Sequence, residues 1–163
     1  TKGQTSPSSA KGFVTKSTPK GNIEKNVAPL ELALSSGATF VAQGFSSDIK
    51  ALTKMIEDAI HHDGFSFVNV FSPCVTYNKV NTYDWFKENL MKLSTVEGYD
   101  PSNRMMAMQT LMENNGLVTG LIYQNTKQPS YQELVKGYSE EPLVKSDLNM
   151  DQKMFDELVA EFM

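Results

Sequence analysis

The 163-residue sequence predicts an α/β fold with a parallel sheet and a helical C-terminal tail. Three successive stretches point there. Ala38-Thr39-Phe40-Val41-Ala42 is rich in strand formers and closes on Gly44. Ile49, Leu52, Met55, Ile56, Ala59 and Ile60 then recur at helical spacing as far as His62. Phe65-Ser66-Phe67-Val68-Asn69-Val70-Phe71 alternates like a second strand. Strand, helix, strand is a βαβ unit, whose strands run parallel and whose crossover is right-handed. Ligands gather at the carboxyl ends of such strands. Those ends are Gln43-Gly44-Phe45 and Ser72-Pro73-Cys74.

Taken in order, residues 1–27 hold many turn formers and little apolar periodicity, so they read as a long loop. A loop of that length in a compact domain is functional or disordered. Pro29 fits the first turn of a short helix, Leu30 to Ser35, ended by Gly37. Ser46, Ser47 and Asp48 offer caps for the helix that follows, and Asp63-Gly64 stops it. Helix signals run again from Thr82 to Leu93, and from Pro101 to about Asn114 with Met105, Met106 and Met108 clustered. Leu117 to Tyr123 is a further strand, and Ser130 to Lys136 a short helix. At the end, Asn149 can cap a helix with Met154, Phe155, Leu158, Val159 and Phe162 on one face.

Composition sets bounds. Hydrophobic residues are 40% and charged residues 21%, an ordinary globular balance for a single core. No apolar run approaches the roughly 20 residues of a membrane span, and the polar start resembles no signal peptide. One cysteine cannot form an internal disulfide, which fits a reducing compartment and gives cytoplasmic as the expected location. A net charge of −4 argues against a nucleic-acid partner. The charge is unevenly spread: residues 1–25 carry five lysines against one glutamate, and residues 138–163 carry seven acids against two lysines. The chain opens on Thr1 rather than methionine, and a piece of something longer is expected.

Common chemical motifs are missing: there is no GxGxxG, no Walker A loop and no HExxH. His61 and His62 are adjacent in a helix and point apart, so they read as surface or boundary residues rather than metal ligands. The methionines read as core filler. What stands out is Ser72-Pro73-Cys74-Val75-Thr76-Tyr77-Asn78, which places the sole thiol on a turn just past a strand. Two readings stand for Cys74: a small buried hydrophobe, or a group placed where α/β proteins put their chemistry.

Several segments together resemble one family. Thr1-Lys2-Gly3-Gln4-Thr5-Ser6-Pro7 is similar to the "TKGQ.SP" stretch of the beta subunit of 2-oxoacid:ferredoxin oxidoreductases. Gly37-Ala38-Thr39-Phe40-Val41-Ala42 resembles that family's "GATFVAR" strand. Gly64-Phe65 through Pro73-Cys74-Val75-Thr76-Tyr77-Asn78 resembles its "PCVT(F/Y)N" segment, and Asn81-Thr82-Tyr83-Asp84-Trp85-Phe86 its "NTY(D/E)W(F/Y)" helix start. Order and spacing match across roughly residues 1–90; Gly120-Leu121-Ile122-Tyr123 and Pro129-Ser130-Tyr131 fit the family's tail.

The resemblance implies the second half of a thiamine diphosphate-binding domain, divided into a cofactor- and partner-facing loop (1–27), a βαβ core (28–93) and a C-terminal strand with helices (94–163). It implies thiamine diphosphate, Mg2+ and a 4Fe-4S cluster as cofactors. It implies coenzyme A-dependent oxidative decarboxylation of a 2-oxoacid, 2-oxoglutarate favoured, with electrons leaving through the cluster to ferredoxin. The implied partners are the alpha subunit, ferredoxin, the 2-oxoacid and coenzyme A, with neither nucleic acid nor membrane. By residue, it makes Cys74 the cluster's fourth ligand, puts Thr1 beside the cofactor's metal-binding loop and Lys2 near the substrate carboxylates; no catalytic acid or base stands out. The front half, with three more cysteines and the acidic diphosphate motif, is missing here, so this segment alone is expected to be inactive. The competing reading is a non-catalytic α/β interaction module whose cysteine is structural.

Overall fold

The computed structural model describes residues 3–135, 141–142, 144–147 and 149–162. Thr1 and Lys2 lie outside the described residues, so the two roles expected of them have no structural counterpart here. The chain forms two compact units, Thr1–Ser130 and Tyr131–Met163.

The first unit opens with a hydrogen-bonded loop rather than regular structure. Gly12 N–H donates to Asn22 O at 2.6 Å, Asn22 N–H to Phe13 O at 3.0 Å and Val27 N–H to Pro7 O at 2.8 Å. Gly21, at φ +87°, lets the two arms of this loop close, since a Cβ there would come within 3.0 Å of the Gly12 carbonyl oxygen. Helix α1 (Pro29–Ser35) then begins with proline in its first turn, as the sequence predicts.

Strand β1 (Phe40–Phe45) and strand β2 (Ser66–Phe71) are joined by helix α2 (Ile49–Ile60). They pair in parallel, Gln43 opposite Asn69 and Phe45 opposite Phe71, so the βαβ expectation holds. Asp48 caps α2, its side chain accepting from Ala51 N–H. Gly44 leaves room for that helix: a Cβ there would lie 2.6 Å from Leu52 Cδ1.

Helix α3 (Tyr83–Asn89), capped by Thr82, is shorter than the expected 82–93 stretch. The backbone turns extended at Leu90, and Met91 N–H donates to Leu117 O at 3.0 Å. This pairing draws residues 91–92 into strand β3 (Met91–Lys92), parallel to strand β4 (Val118–Gln124). Leu93–Thr95 then make one turn of 3-10 helix and bury Leu93. Helix α4 (Arg104–Glu113) starts three residues after Pro101 because Asn103 supplies the cap, accepting from Met105 and Met106 N–H at 3.1 Å each. Asn115 and Gly116, both at positive φ, end it.

The sheet order is β2-β1-β4-β3. It is mixed: β4 runs antiparallel to β1, with an irregularity between Val41 and Ala42, while the two outer pairs are parallel. The α/β class expected from sequence stands, and the antiparallel pair is the difference. Alternation along β1 gives the layers. Val41 joins Leu30 and Leu34 of α1, Ala107 and Leu111 of α4, and Val118 and Ile122 of β4 in the core. Gly44, two residues from Ala42 on the other face, meets α2.

The second unit contains helices α5 (Tyr131–Leu134) and α6 (Gln152–Ala160). Asp151, not the expected Asn149, caps α6 by accepting from Met154 N–H at 2.8 Å; Asn149 instead donates to Asp147 Oδ1. Met154, Phe155, Leu158 and Val159 all stay partly exposed. Among the described residues no helix is long and apolar enough to cross a membrane.

Candidate functional site

The site lies at the carboxyl ends of β1 and β2. Ser46 N–H donates to Phe71 O at 2.9 Å, which holds the two strand exits side by side. Gln43, 1% exposed, is the polar centre of this edge. Its Nε2 donates to the carbonyls of Gly116 and Val118 at 2.7 Å each, and its Oε1 accepts from Asn69 Nδ2 at 2.6 Å. One side chain thus ties β1 to β2 and to the start of β4. The sequence carried a signal for it, a polar residue inside the apolar run FVAQGF, which periodicity alone passes over.

Two residues beyond β2, Pro73 turns the chain and Cys74 opens a tight turn, with Asn78 N–H donating to Cys74 O at 3.0 Å. Asn78 fixes the exit, its Oδ1 accepting from Val80 and Asn81 N–H at 2.9 Å each, and Thr82 then caps α3. The sequence Asn-x-x-Asn-Thr therefore builds turn and helix start in succession. Cys74 is half-buried, short of the full burial of a small core hydrophobe. The backbone N–H of Tyr77, then those of Thr76 and Asn78, hold its thiol below the usual thiol range against the opposing effect of desolvation. Backbone dipoles aimed at a sulfur favour the thiolate, the form that binds metal.

Beside the turn is a cleft of about 910 Å³. Its walls come from the loop (Ser6, Ser9, Phe13), the strand edge (Gln43, Asn69), Cys74, α3 (Trp85) and the end of α4 (Met112). Phe71 stacks on Phe86 with ring centres 4.7 Å apart, and Phe45 on Phe86 at 5.7 Å, so α3 is anchored to the strand ends. The loop reaches the cysteine turn as well: Lys16 Nζ lies 5.6 Å from the centre of the Tyr77 ring. Sequence patterning gave no hint of that contact, which joins residues 61 positions apart in the chain.

Other candidates fall away from this edge. His62 Nε2 lies 2.8 Å from the Thr39 hydroxyl at the opposite end of β1, in a structural role, and His61 ends α2. Met108 packs on the core as expected, but Met105 and Met112 are exposed. Among the described residues no three of His, Cys, Asp and Glu converge as a metal site, so Cys74 offers one ligand at most. For an iron–sulfur cluster the fit is that of a single corner: a half-buried thiol with a lowered pKa on a strand-end turn.

Comparison with known proteins follows the same line. Residues 1–70 match the family model for the C-terminal thiamine pyrophosphate-binding domain of thiamine pyrophosphate enzymes. Residues 74–140 match the model for the C-terminal region of the pyruvate ferredoxin oxidoreductase beta subunit. A 2-oxoacid:ferredoxin oxidoreductase beta subunit from Sulfolobus sp is 38% identical over 149 residues, 85% of this chain and 49% of that protein. One from Saccharolobus solfataricus is 44% identical over 101 residues, 62% of this chain and 33% of that protein. Among solved structures, the 2-oxoglutarate:ferredoxin oxidoreductase from Magnetococcus marinus, with 2-oxoglutarate, coenzyme A and succinyl-CoA bound, superposes with a TM-score of 0.79 at 32% identity. That match covers 96% of this chain and 53% of the other. The chain thus spans about half the length of the curated relatives it matches. With two adjacent family models, the motif order and the fold in agreement, the chain belongs to the family of 2-oxoacid:ferredoxin oxidoreductase beta subunits.

Proposed function

We propose that this chain works within a complex that oxidatively decarboxylates a 2-oxoacid onto coenzyme A and hands the electrons to ferredoxin through a 4Fe-4S cluster. The observation that carries the reading is the place of the Cys74 thiol, half-buried on a turn at the carboxyl end of β2 and lining the cleft there. The substrate favoured is 2-oxoglutarate, on the strength of the Magnetococcus relative, whose structure holds it. The alpha subunit is the partner this implies.

In this reading thiamine diphosphate, bound with Mg2+, supplies carbanion chemistry and the cluster accepts single electrons. The chain's own residues bind and orient. The Cys74 thiolate would be one iron ligand, and the backbone amides of Tyr77, Thr76 and Asn78, which lower its pKa, favour that thiolate. Gln43 and Asn69 tie the two strand ends together at the wall of the cleft. Thr1 is the residue next to the cofactor's metal-binding loop. Lys2 is a fixed cation for a substrate carboxylate. The reading of Cys74 as a structural core residue of an interaction module is disfavoured by its place beside the cleft and outside the core cluster.

The test is Cys74→Ala in the assembled enzyme, with iron and acid-labile sulfide measured per complex. Iron bound by this subunit should be lost or strongly reduced while the circular dichroism spectrum is kept. A wild-type iron content with undiminished ferredoxin reduction would falsify the ligand role. For Lys2, Lys2→Ala should raise KM for 2-oxoglutarate more than for pyruvate, which lacks the second carboxylate; equal changes would take Lys2 out of the substrate pocket.

A further inference from the structure

We propose that Asn115-Gly116 is a site of spontaneous covalent modification, where Asn115 converts to isoaspartate, and that the end of α4 sets the rate. The inference stands apart from the enzymatic reading and needs no ligand. Alone among the chain's asparagines, Asn115 is followed by glycine. Glycine has no side chain to shield its own backbone nitrogen. Asn115 is exposed. Its neighbour Asn114 donates Nδ2 to Thr110 O at 2.8 Å, whereas the Asn115 side-chain amide has no hydrogen-bond partner among the described residues. A free amide carbon and the next backbone nitrogen are therefore neighbours on one exposed turn.

The folded backbone holds the two groups back. Asn115 sits at φ +50° and Gly116 at φ +71°. Gly116 N–H donates to Leu111 O at 2.8 Å and Asn115 N–H to Met112 O at 3.4 Å, the paired bonds of a Schellman motif. Attack needs the Gly116 nitrogen free of Leu111, so the reaction passes through local opening of the last turn of α4. In that open state the Gly116 nitrogen gives its proton to solvent and bonds to Asn115 Cγ. The Cγ–Nδ2 bond breaks, and the departing amide takes up a proton and leaves as ammonia. Water then opens the cyclic imide, at the main-chain carbonyl to give isoaspartate or at Cγ to give aspartate. Nothing is oxidised or reduced. Isoaspartate adds one carbon to the main chain directly before Gly116. The Gly116 carbonyl accepts from Gln43 Nε2 at 2.7 Å, so the added atom displaces both the close of α4 and an anchor of Gln43. Asn115 and Gly116 also line the cleft, where the reaction leaves a new carboxylate.

The test ages the assembled enzyme in mildly alkaline buffer and follows position 115 by peptide mapping. Electron-transfer fragmentation and labelling by an isoaspartyl methyltransferase separate isoaspartate from aspartate. Isoaspartate should accumulate at position 115 in the native enzyme, and unfolding in urea should speed it roughly tenfold or more, because the helix end is then open. Native enzyme that stays unmodified there, while the urea-treated chain reacts, would overturn the site. Equal rates in the two states would overturn control by the end of α4. The variant Asn115→Gly keeps a residue suited to the left-handed position and removes the amide. It should form no isoaspartate there, and its Tm should not change on ageing, whereas the Tm of the wild type should fall by a few degrees as Gln43 loses its partner. Equal falls in both proteins would overturn the link to Gln43, as would a fully modified wild type with an unchanged Tm.

Discussion

Gln43 shows how much one buried polar side chain can organise. Each of its polar atoms is matched, to Gly116 O, Val118 O and Asn69 Nδ2. Gln43→Leu keeps the volume but leaves those partners without a hydrogen bond, the Val118 carbonyl in a buried position. The expected loss is about 2 kcal/mol in chemical denaturation, the usual cost of unpaired buried polar groups; a loss near zero would mean that water reaches the edge. Tyr99 makes a comparable contact beside the core, its hydroxyl donating to Ile122 O at 2.6 Å. Burial, and then the nearby Asp100 carboxylate, push its pKa from 10.0 up to about 12. Because the folded value is the higher one, the stabilisation is complete below pH 10 and lost as pH rises from 10 toward 12. In a spectrophotometric titration the absorbance change above pH 10 should shrink in Tyr99→Phe.

At the scale of elements, α2 depends on its first turn. Asp48 accepts from Ala51 N–H at 3.3 Å and pairs with Lys92 at 3.2 Å. Both partners are exposed, so the ion pair adds little, and the cap dominates. Asp48→Ala should cost about 1 kcal/mol. Hydrogen bonds from Lys92 and then Ala51 lower the Asp48 carboxyl, so its contribution exists above the ordinary carboxylate range and fades as pH falls. The gap between wild type and variant should therefore narrow in acid, and a constant gap would remove the carboxylate from the cap. The turn from α2 into β2 needs Gly64, at φ +150°, where a Cβ would run into the Thr39 hydroxyl and His62. The loop at residues 3–27 has hydrogen bonds but few anchors, with Val14 64% and Ile23 84% exposed. Its amides should exchange much faster than those of β1, since exposed bonds over little buried apolar surface open locally.

At the scale of the whole molecule, one thiol and no converging metal ligands among the described residues set a limit on what the chain does unaided. A 4Fe-4S cluster takes four ligands. The 163-residue chain expressed by itself should therefore take up no stable cluster on iron and sulfide reconstitution, and should not reduce dye with any 2-oxoacid. A cluster spectrum surviving gel filtration would contradict this.

The sequence by itself determined the local grammar and the position of the cysteine turn. Alternation in 65–71 and the 3.6-residue period in 49–60 each report one element's type, although no residue of α2 is buried and Ile49, Ile56 and Ile60 of its apolar stripe stay exposed. So the βαβ unit, its parallel pairing and the placing of Cys74 at a strand end were legible from neighbours a few residues apart. What the tertiary structure decided depends on partners far away in the chain. Leu117 recruits Met91 into β3 and cuts a predicted helix short. The pairing of β4 with β1 is antiparallel, a choice that no periodicity encodes because both directions bury the same alternate side chains. Lys16 crosses to Tyr77, and Gln43 reaches Gly116. Such contacts form only once the sheet has brought the strand ends together, and that closeness supplies the site with its cleft and its charge.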